Sequence, residues 1–166
     1  MNVIVAVDAN WAIGRKGGML FHLPEDLKYF RRNTAGGTVI MGRKTLFSFP
    51  GNQPLPKRRN IIISRNPDFQ HEGVEVVSSP EAAMELVKDE DPNTVWCIGG
   101  GSIYETMLDM CKYAHITKVE AEGTDVDTYF PNLDKLPNWE VESESEVVED
   151  NGYKYRFVIY VNKNHK

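Results

Sequence analysis

In LFHLPEDLKYFRRNT, residues 20–34, one carboxylate stands against the hydrophobic pattern. A helix drawn at about 100° per residue puts Leu23, Leu27, Phe30 and Thr34 on one side and Glu25, Lys28 and Arg32 opposite. Asp26 then falls about 40° from Phe30, at the edge of the apolar stripe. An isolated buried carboxylate is penalised by desolvation, so Asp26 must be paired, protonated or facing a cleft. Two readings fit. It bridges to a lysine or arginine at the helix edge, or it recognises a cationic or amidine-like nitrogen heterocycle through a bidentate hydrogen-bonded pair.

Two further segments could hold phosphate. TVWCIGGGSIYETML runs strand, triple glycine, helix. Gly99, Gly100 and Gly101 let backbone approach a ligand closely, and the following helix start, Ser102-Ile103-Tyr104, offers unpaired N–H groups. The G-x-G-x-x-G fingerprint would need glycine at Tyr104, and the Lys-Ser/Thr of a P-loop is missing, so a diphosphate cradle and a plain glycine-rich turn both fit. VIMGRKT repeats the arrangement with Gly42, Arg43, Lys44 and Thr45, and NIIISR ends another strand on Ser64 and Arg65. Cations at the carboxyl ends of strands suit the ligand crevice of an open α/β sheet.

Charge supports that placement. From Lys28 to Arg65 there are nine basic residues and no acidic one, while the remaining residues carry 10 basic against 24 acidic groups, a net of −14 within a chain of −5. A basic block in an acidic chain suggests a local anionic ligand; a solvated basic face is the plainer alternative. The acidic long-range field argues against nucleic acid. Cys97 and Cys111 form no CxxC and have no histidine at ligand spacing, so neither disulfide framework nor metal site is expected. The four histidines share no spacing and read as structural or surface residues. Trp11 and Trp96 read as packing residues, and Met19 sits in a Gly-rich loop with room to move. No nucleophile elbow or Cys-His pairing appears.

The elements that must position these groups follow from the apolar runs. VIVAV (3–7), TVIM (38–41), NIII (60–63), VEVV (74–77) and TVWCI (94–98) lack alternation, as strands buried on both faces do. Helical patterns lie between them, from Pro24 to Thr34, Arg43 to about Phe49, Pro80 to Lys88 with Ser79 as N-cap, and Ser102 to about Met110. Such alternation implies a doubly wound, largely parallel sheet. WEVESESEVVEDNGYKYRFVIYVN instead places alternating strands around Asn151-Gly152, a hairpin signal, which makes the sheet mixed. Glu140, Glu142, Glu144 and Glu146 read as a solvated face. The N-terminal apolar run has no positive flank and stops after five residues, too short for a signal peptide or membrane span. One domain over 1–166, cytoplasmic and without membrane association, is expected.

Together, AIGRKGGM, LPEDLKYFRRNT, VIMGRKT, PLPKRRNIIIS, CIGGGSIYE and DTYFP, in this order and spacing, resemble the dihydrofolate reductases. The resemblance spans the chain. It implies a mixed, mostly parallel eight-stranded sheet with four flanking helices and a C-terminal antiparallel hairpin. It also implies NADPH-dependent reduction of 7,8-dihydrofolate to tetrahydrofolate by a monomer, with diaminopyrimidine and pteridine antifolates as inhibitors. By position, Asp26 matches the acid that binds the pteridine's N3 and 2-amino group and favours N5 protonation, and Thr117 the threonine linked to it. Leu27, Phe30 and Phe49 match the apolar clamp, Arg58 the arginine pairing with the glutamate tail, and Ile4 and Ile98 the carbonyls at the amino edge. For the cofactor, Ala6, Ile13 and Gly14 match nicotinamide contacts. Gly42 to Thr45 match the phosphate side, Gly99 to Tyr104 the diphosphate and nicotinamide side, and Ser64 and Arg65 the 2′-phosphate pocket. Met19 matches the loop that closes over the nicotinamide.

Three departures touch that site. Leu20-Phe21 stands where the family usually has Pro-Trp, and Phe21 cannot donate the indole hydrogen bond to a water near the acid. FPGNQP is about two residues longer than in common bacterial forms, and Val126-Asp127 replaces a frequent Gly-Asp.

Overall fold

The computed structural model describes residues 1–15 and 18–165; Lys16 and Gly17 of AIGRKGGM lie outside the described residues. In chain order the elements are β1 (Asn2–Val7), β2 (Ala12–Gly14), α1 (Pro24–Thr34), β3 (Thr38–Gly42), α2 (Arg43–Phe47), β4 (Arg59–Ile63), β5 (Glu75–Val77), α3 (Pro80–Leu86), β6 (Val95–Cys97), α4 (Gly101–Met107), β7 (Tyr113–Val119), β8 (Thr128–Tyr129), β9 (Trp139–Glu144), β10 (Val148–Asp150) and β11 (Tyr153–Asn162). The main sheet runs β10-β11-β7-β1-β6-β3-β4-β5. Every pair from β7 to β5 is parallel, and β11 is antiparallel to β7 and β10. β9 and β10 both pair with the edge of β11 that faces away from β7, so nine strands occupy eight positions.

Consecutive residues of the parallel strands alternate between two cores. Val3, Ile40, Ile61 and Ile63 join one apolar cluster with Ala83 of α3 and Met107 of α4. Ile4, Val39, Met41 and Ile62 join the other, against Tyr29 and Phe30 of α1. Covering both faces explains the continuous hydrophobic runs, since neither face of these strands meets water. Each such side chain contributes roughly 1.5–3 kcal/mol by burial.

Several expected boundaries move for local reasons. α2 stops at Phe47, because Ser48 folds back on Thr45 (N to O 3.1 Å) and Phe49, preceding Pro50, is extended. α3 ends at Leu86, with Ser79 Oγ accepting from Ala82 N at its start. α4 begins at Gly101 and tightens into a 3₁₀ turn over Leu108–Met110. The acidic strand expected before the hairpin is split. Ser145 pairs with Phe157 through both backbone and hydroxyl, and separates β9 from β10. Glu140, Glu142, Glu144 and Glu146 are exposed, as expected. Asn151 and Gly152 have φ of 51° and 83°, the left-handed pair of a type I′ turn. The small β2–β8 sheet had no sequence signal.

α1 is fastened to the sheet through Tyr29, whose ring stacks on Phe157 at 4.0 Å and whose hydroxyl lies 3.0 Å from His115 Nδ1. Burial pushes the His115 pKa from 6.5 to about 4. The unfolded chain therefore takes up this proton near pH 6.5 and the folded chain only near pH 4. Stability is lost as pH falls through that window, on the order of 2–3 kcal/mol at its acid end. Denaturant unfolding at several pH values should show this slope, and His115→Gln, which keeps a polar partner for Tyr29, should flatten it between pH 6.5 and 4.

Candidate active site

α1 begins without a side-chain cap of its own: Leu23 occupies the N-cap position and Pro24 the first turn. Asp26 follows on the sheet-facing side, half-buried. Its Oδ1 accepts from the hydroxyl of buried Thr117 on β7 at 2.6 Å. Among the described residues no lysine or arginine bridges to it. The salt-bridge reading of Asp26 therefore fails. Desolvation raises its pKa; the Thr117 hydrogen bond works against that, and nearby Asp150 adds to it.

Thr117 pairs in register with Ala6 on the adjacent β1, so Ala6 lies beside the residue that holds the acid. Ile4, two residues back, clusters with Ile98, Phe30, Phe49, Met41 and Leu46. The Ile4 carbonyl accepts from the buried Tyr104 hydroxyl at 2.9 Å. Leu27, half-buried, is one residue beyond Asp26 on α1. At the other end of α1, Arg58 donates to Thr34 Oγ1 at 3.0 Å and to the Pro56 carbonyl at 3.0 Å. No described carboxylate pairs with it. Burial, then repulsion from Arg31, lowers its pKa. An apolar wall thus has an acid at one end and a guanidinium at the other, neither in an ion pair among the described residues.

The glycine segments converge on the opposite side. Gly42 N donates to Gly99 O at 2.8 Å, which joins the ends of β3 and β6. Gly99 has φ of 109°, and a Cβ there would sit 2.9 Å from the Tyr104 ring, so only glycine fits. A Cβ on Gly100 would lie 3.6 Å from Thr45 Oγ1, which brings the two helix starts face to face. Arg43 and Lys44 are exposed at the start of α2, and Arg65 is exposed beyond β4, next to the buried Ser64. None of these three cations has a described carboxylate partner. Arg59, from the same basic block, is instead bound to Glu75 and Glu90 and belongs to the scaffold.

Ile13 and Gly14 lie on β2, where the Gly14 carbonyl accepts from Asp127 N at 3.0 Å. Thr128 of β8 stands between Gly14 and Gly101; a Cβ on Gly101 would be 2.5 Å from its methyl. Met19, 64% exposed, leads on to Leu20, which packs over Gly123, and to Phe21, whose ring lies 4.8 Å from that of Tyr153.

A family model described as dihydrofolate reductase matches residues 1–162. The chain belongs to the dihydrofolate reductase family. It is 42% identical over 164 residues to the dihydrofolate reductase of Haemophilus influenzae, covering 98% of each chain. It is 36% identical to that of Bacillus subtilis, covering 99% of this chain and 95% of the other. The fold matches dihydrofolate reductase from Enterococcus faecalis complexed with NADP(H) and RAB-propyl, with a TM-score of 0.87 at 31% identity over 98% and 96% of the two chains. Dihydrofolate reductases are NADPH-dependent oxidoreductases, so the expected fold, enzyme class and cofactor all hold. The residues present fit such a dinucleotide, because three exposed cations with no carboxylate partner among the described residues flank a cradle in which side chains at Gly99 and Gly101 would clash.

Sequence reasoning missed several groups around this dihydrofolate reductase site. The buried Asp8 carboxylate accepts from the backbone N–H groups of Asn10, Ala12 and Gly123, each at 2.8 Å, and ties β2 to the β7–β8 connection. Its only trace in the sequence is an acid ending an apolar strand. Asp150 and Tyr155 sit behind Asp26, placed there by a hairpin whose partner in space no local pattern reveals.

Thr117→Val removes the donor that favours ionised Asp26. The Asp26 titration midpoint, read by carboxyl ¹³C NMR, should move upward, and stability above that midpoint should drop by about 1.5–3 kcal/mol.

Proposed function

We propose that this chain reduces 7,8-dihydrofolate to 5,6,7,8-tetrahydrofolate, with hydride delivered to C6 and a proton to N5. The observation that carries the reading is an acid beside an apolar wall, held by Thr117 and without a bridging cation among the described residues. Such a carboxylate suits the N3 and 2-amino edge of a pterin, which offers two parallel donors. Ile4 and Ile98 would present backbone carbonyls to the same amino edge, and Leu27, Phe30 and Phe49 would enclose the rings. Arg58 would take the α-carboxylate of the glutamate tail, and the lack of a carboxylate partner for it among the described residues supports that role.

NADPH supplies the hydride. Ala6, Ile13 and Gly14 would line its nicotinamide; Gly42, Arg43, Lys44, Thr45 and Gly99 to Tyr104, including Ser102 and Ile103, its phosphates; Ser64 and Arg65 its 2′-phosphate. Orientation supplies much of the rate advantage in such a transfer, because it replaces a bimolecular search by a fixed approach. A raised proton affinity at Asp26 favours protonation of the bound ring near neutral pH. Met19 and the segment after it would close over the reacting atoms and exclude water. Phe21 donates no hydrogen bond, so any water near Asp26 must be oriented by other groups. We place the enzyme in the cytoplasm as a monomer of one domain over 1–166, serving one-carbon metabolism, with diaminopyrimidine and pteridine antifolates as competitive inhibitors.

NADPH oxidation followed at 340 nm should accelerate on addition of dihydrofolate, and Asp26→Asn should abolish most of that turnover near neutral pH while NADPH binding persists. Binding of both ligands without turnover in the wild type would instead indicate a binding protein. Arg65→Ala should narrow the preference for NADPH over NADH through the loss of a charge-assisted contact worth about 1.5–3 kcal/mol. Equal preference ratios in both proteins would move the 2′-phosphate elsewhere.

A further inference from the structure

The first turn of α1 is capped from 125 residues away. Asp150 Oδ2, at the end of β10, accepts from Glu25 N at 2.8 Å and from the hydroxyl of Tyr155 on β11 at 2.8 Å. The next residue, Asn151, donates from Nδ2 to the His22 carbonyl at 2.8 Å. Two residues on, Tyr153 meets the Phe21 ring. The hairpin tip therefore grips residues 21–25, the segment leading directly into Asp26. A negative side chain at a helix N-terminus is favoured both by the free N–H and by the helix dipole.

Asp150 also adds a like charge near Asp26, after the larger effects of burial and the Thr117 hydrogen bond. On α1, Glu25 is exposed and bridged to Lys28 at 3.2 Å, and Tyr29 is neutral. From β7 come Thr117, a hydrogen-bond donor, and His115, kept neutral by burial. From α4 comes Tyr104, from β11 Tyr155, and from β10 Asp150. Exposed His22 precedes the helix. Among the described residues, apart from Glu25, whose charge is offset by Lys28, the one anion facing Asp26 is Asp150.

We propose that Asp150 is a positioning residue for the catalytic acid, fixing the helix start that carries Asp26 and supplying the like charge that favours its protonated form. The proton relevant to reduction rests on the function proposed above; the clamp and its charge do not. Asp150 holds Glu25 N and the Tyr155 hydroxyl and acts through Asp26. The hydrogen bonds alone could be made by an amide, whose oxygen accepts equally from Glu25 N and Tyr155. The carboxylate adds the charge.

Asp150→Asn separates the two contributions. In the ligand-free protein, ¹³C titration of the Asp26 carboxyl should show a lower midpoint in Asp150→Asn than in wild type, with a melting temperature close to wild type. Asp150→Ala should lower both the midpoint and the melting temperature. In the hydride-transfer rate with NADPH and dihydrofolate, the limb that falls with rising pH should begin at lower pH in Asp150→Asn, while the low-pH plateau is kept. An Asp26 midpoint in Asp150→Asn equal to or above that of wild type overturns the proposal, whether or not the alanine variant folds. A lowered midpoint in a wild-type background without turnover would uphold the clamp and overturn the proposed reaction.

Discussion

The hydrogen bond from Thr117 to Asp26 joins a helix start to a central strand across 91 residues and keeps a half-buried carboxylate in place with no bridging cation among the described residues. A group in that state is costly, because water has been partly removed and no opposite charge replaces it. The fold offsets part of that cost with one strong donor, the Thr117 hydroxyl.

The parallel sheet explains why the unpaired groups gather at one place. β1, β6, β3 and β4 are mutually parallel, so their carboxyl ends point to one edge and carry Gly42, Ser64 and Gly99 there together. Burial on both faces holds these strands rigidly, and the loops that extend from them take their positions from that frame. The basic block then divides by partner. Arg59 is consumed by Glu75 and Glu90, whereas Arg43, Lys44 and Arg65 have no described carboxylate and give the crevice its local positive character within an acidic molecule.

Long-range clamps complete the site where local structure is weakest. α1 lacks a cap of its own and receives Asp150; β2 is only three residues long and is held by Asp8, Asp127 and β8. At α1 a carboxylate from a distant segment satisfies an N–H that the helix start leaves open, and at β2 the distant Asp127 N–H serves the Gly14 carbonyl while Asp8 joins the local Asn10 and Ala12 N–H groups to that of Gly123. Stabilising these segments through distant contacts leaves the acid and the neighbouring loop sensitive to the hairpin and to the β7–β8 connection.

Much of this was legible in the residues alone, for definite reasons. Runs such as VIVAV and NIII announce strands covered on both faces, Asn151-Gly152 announces a turn that needs two positive φ angles, and Asp26 announces itself by breaking a helical stripe. These are local signals, set by periodicity and backbone sterics. The pairing of Thr117 with Asp26, the choice of Arg59 rather than Arg58 as a scaffold residue, and the split of the acidic strand at Ser145 depend on which groups meet after folding. So does the reach of Asp150 to Glu25. Hydrogen bonds and desolvation act over a few ångströms in space with no regard to separation along the chain, and only the packed sheet brings those partners within range.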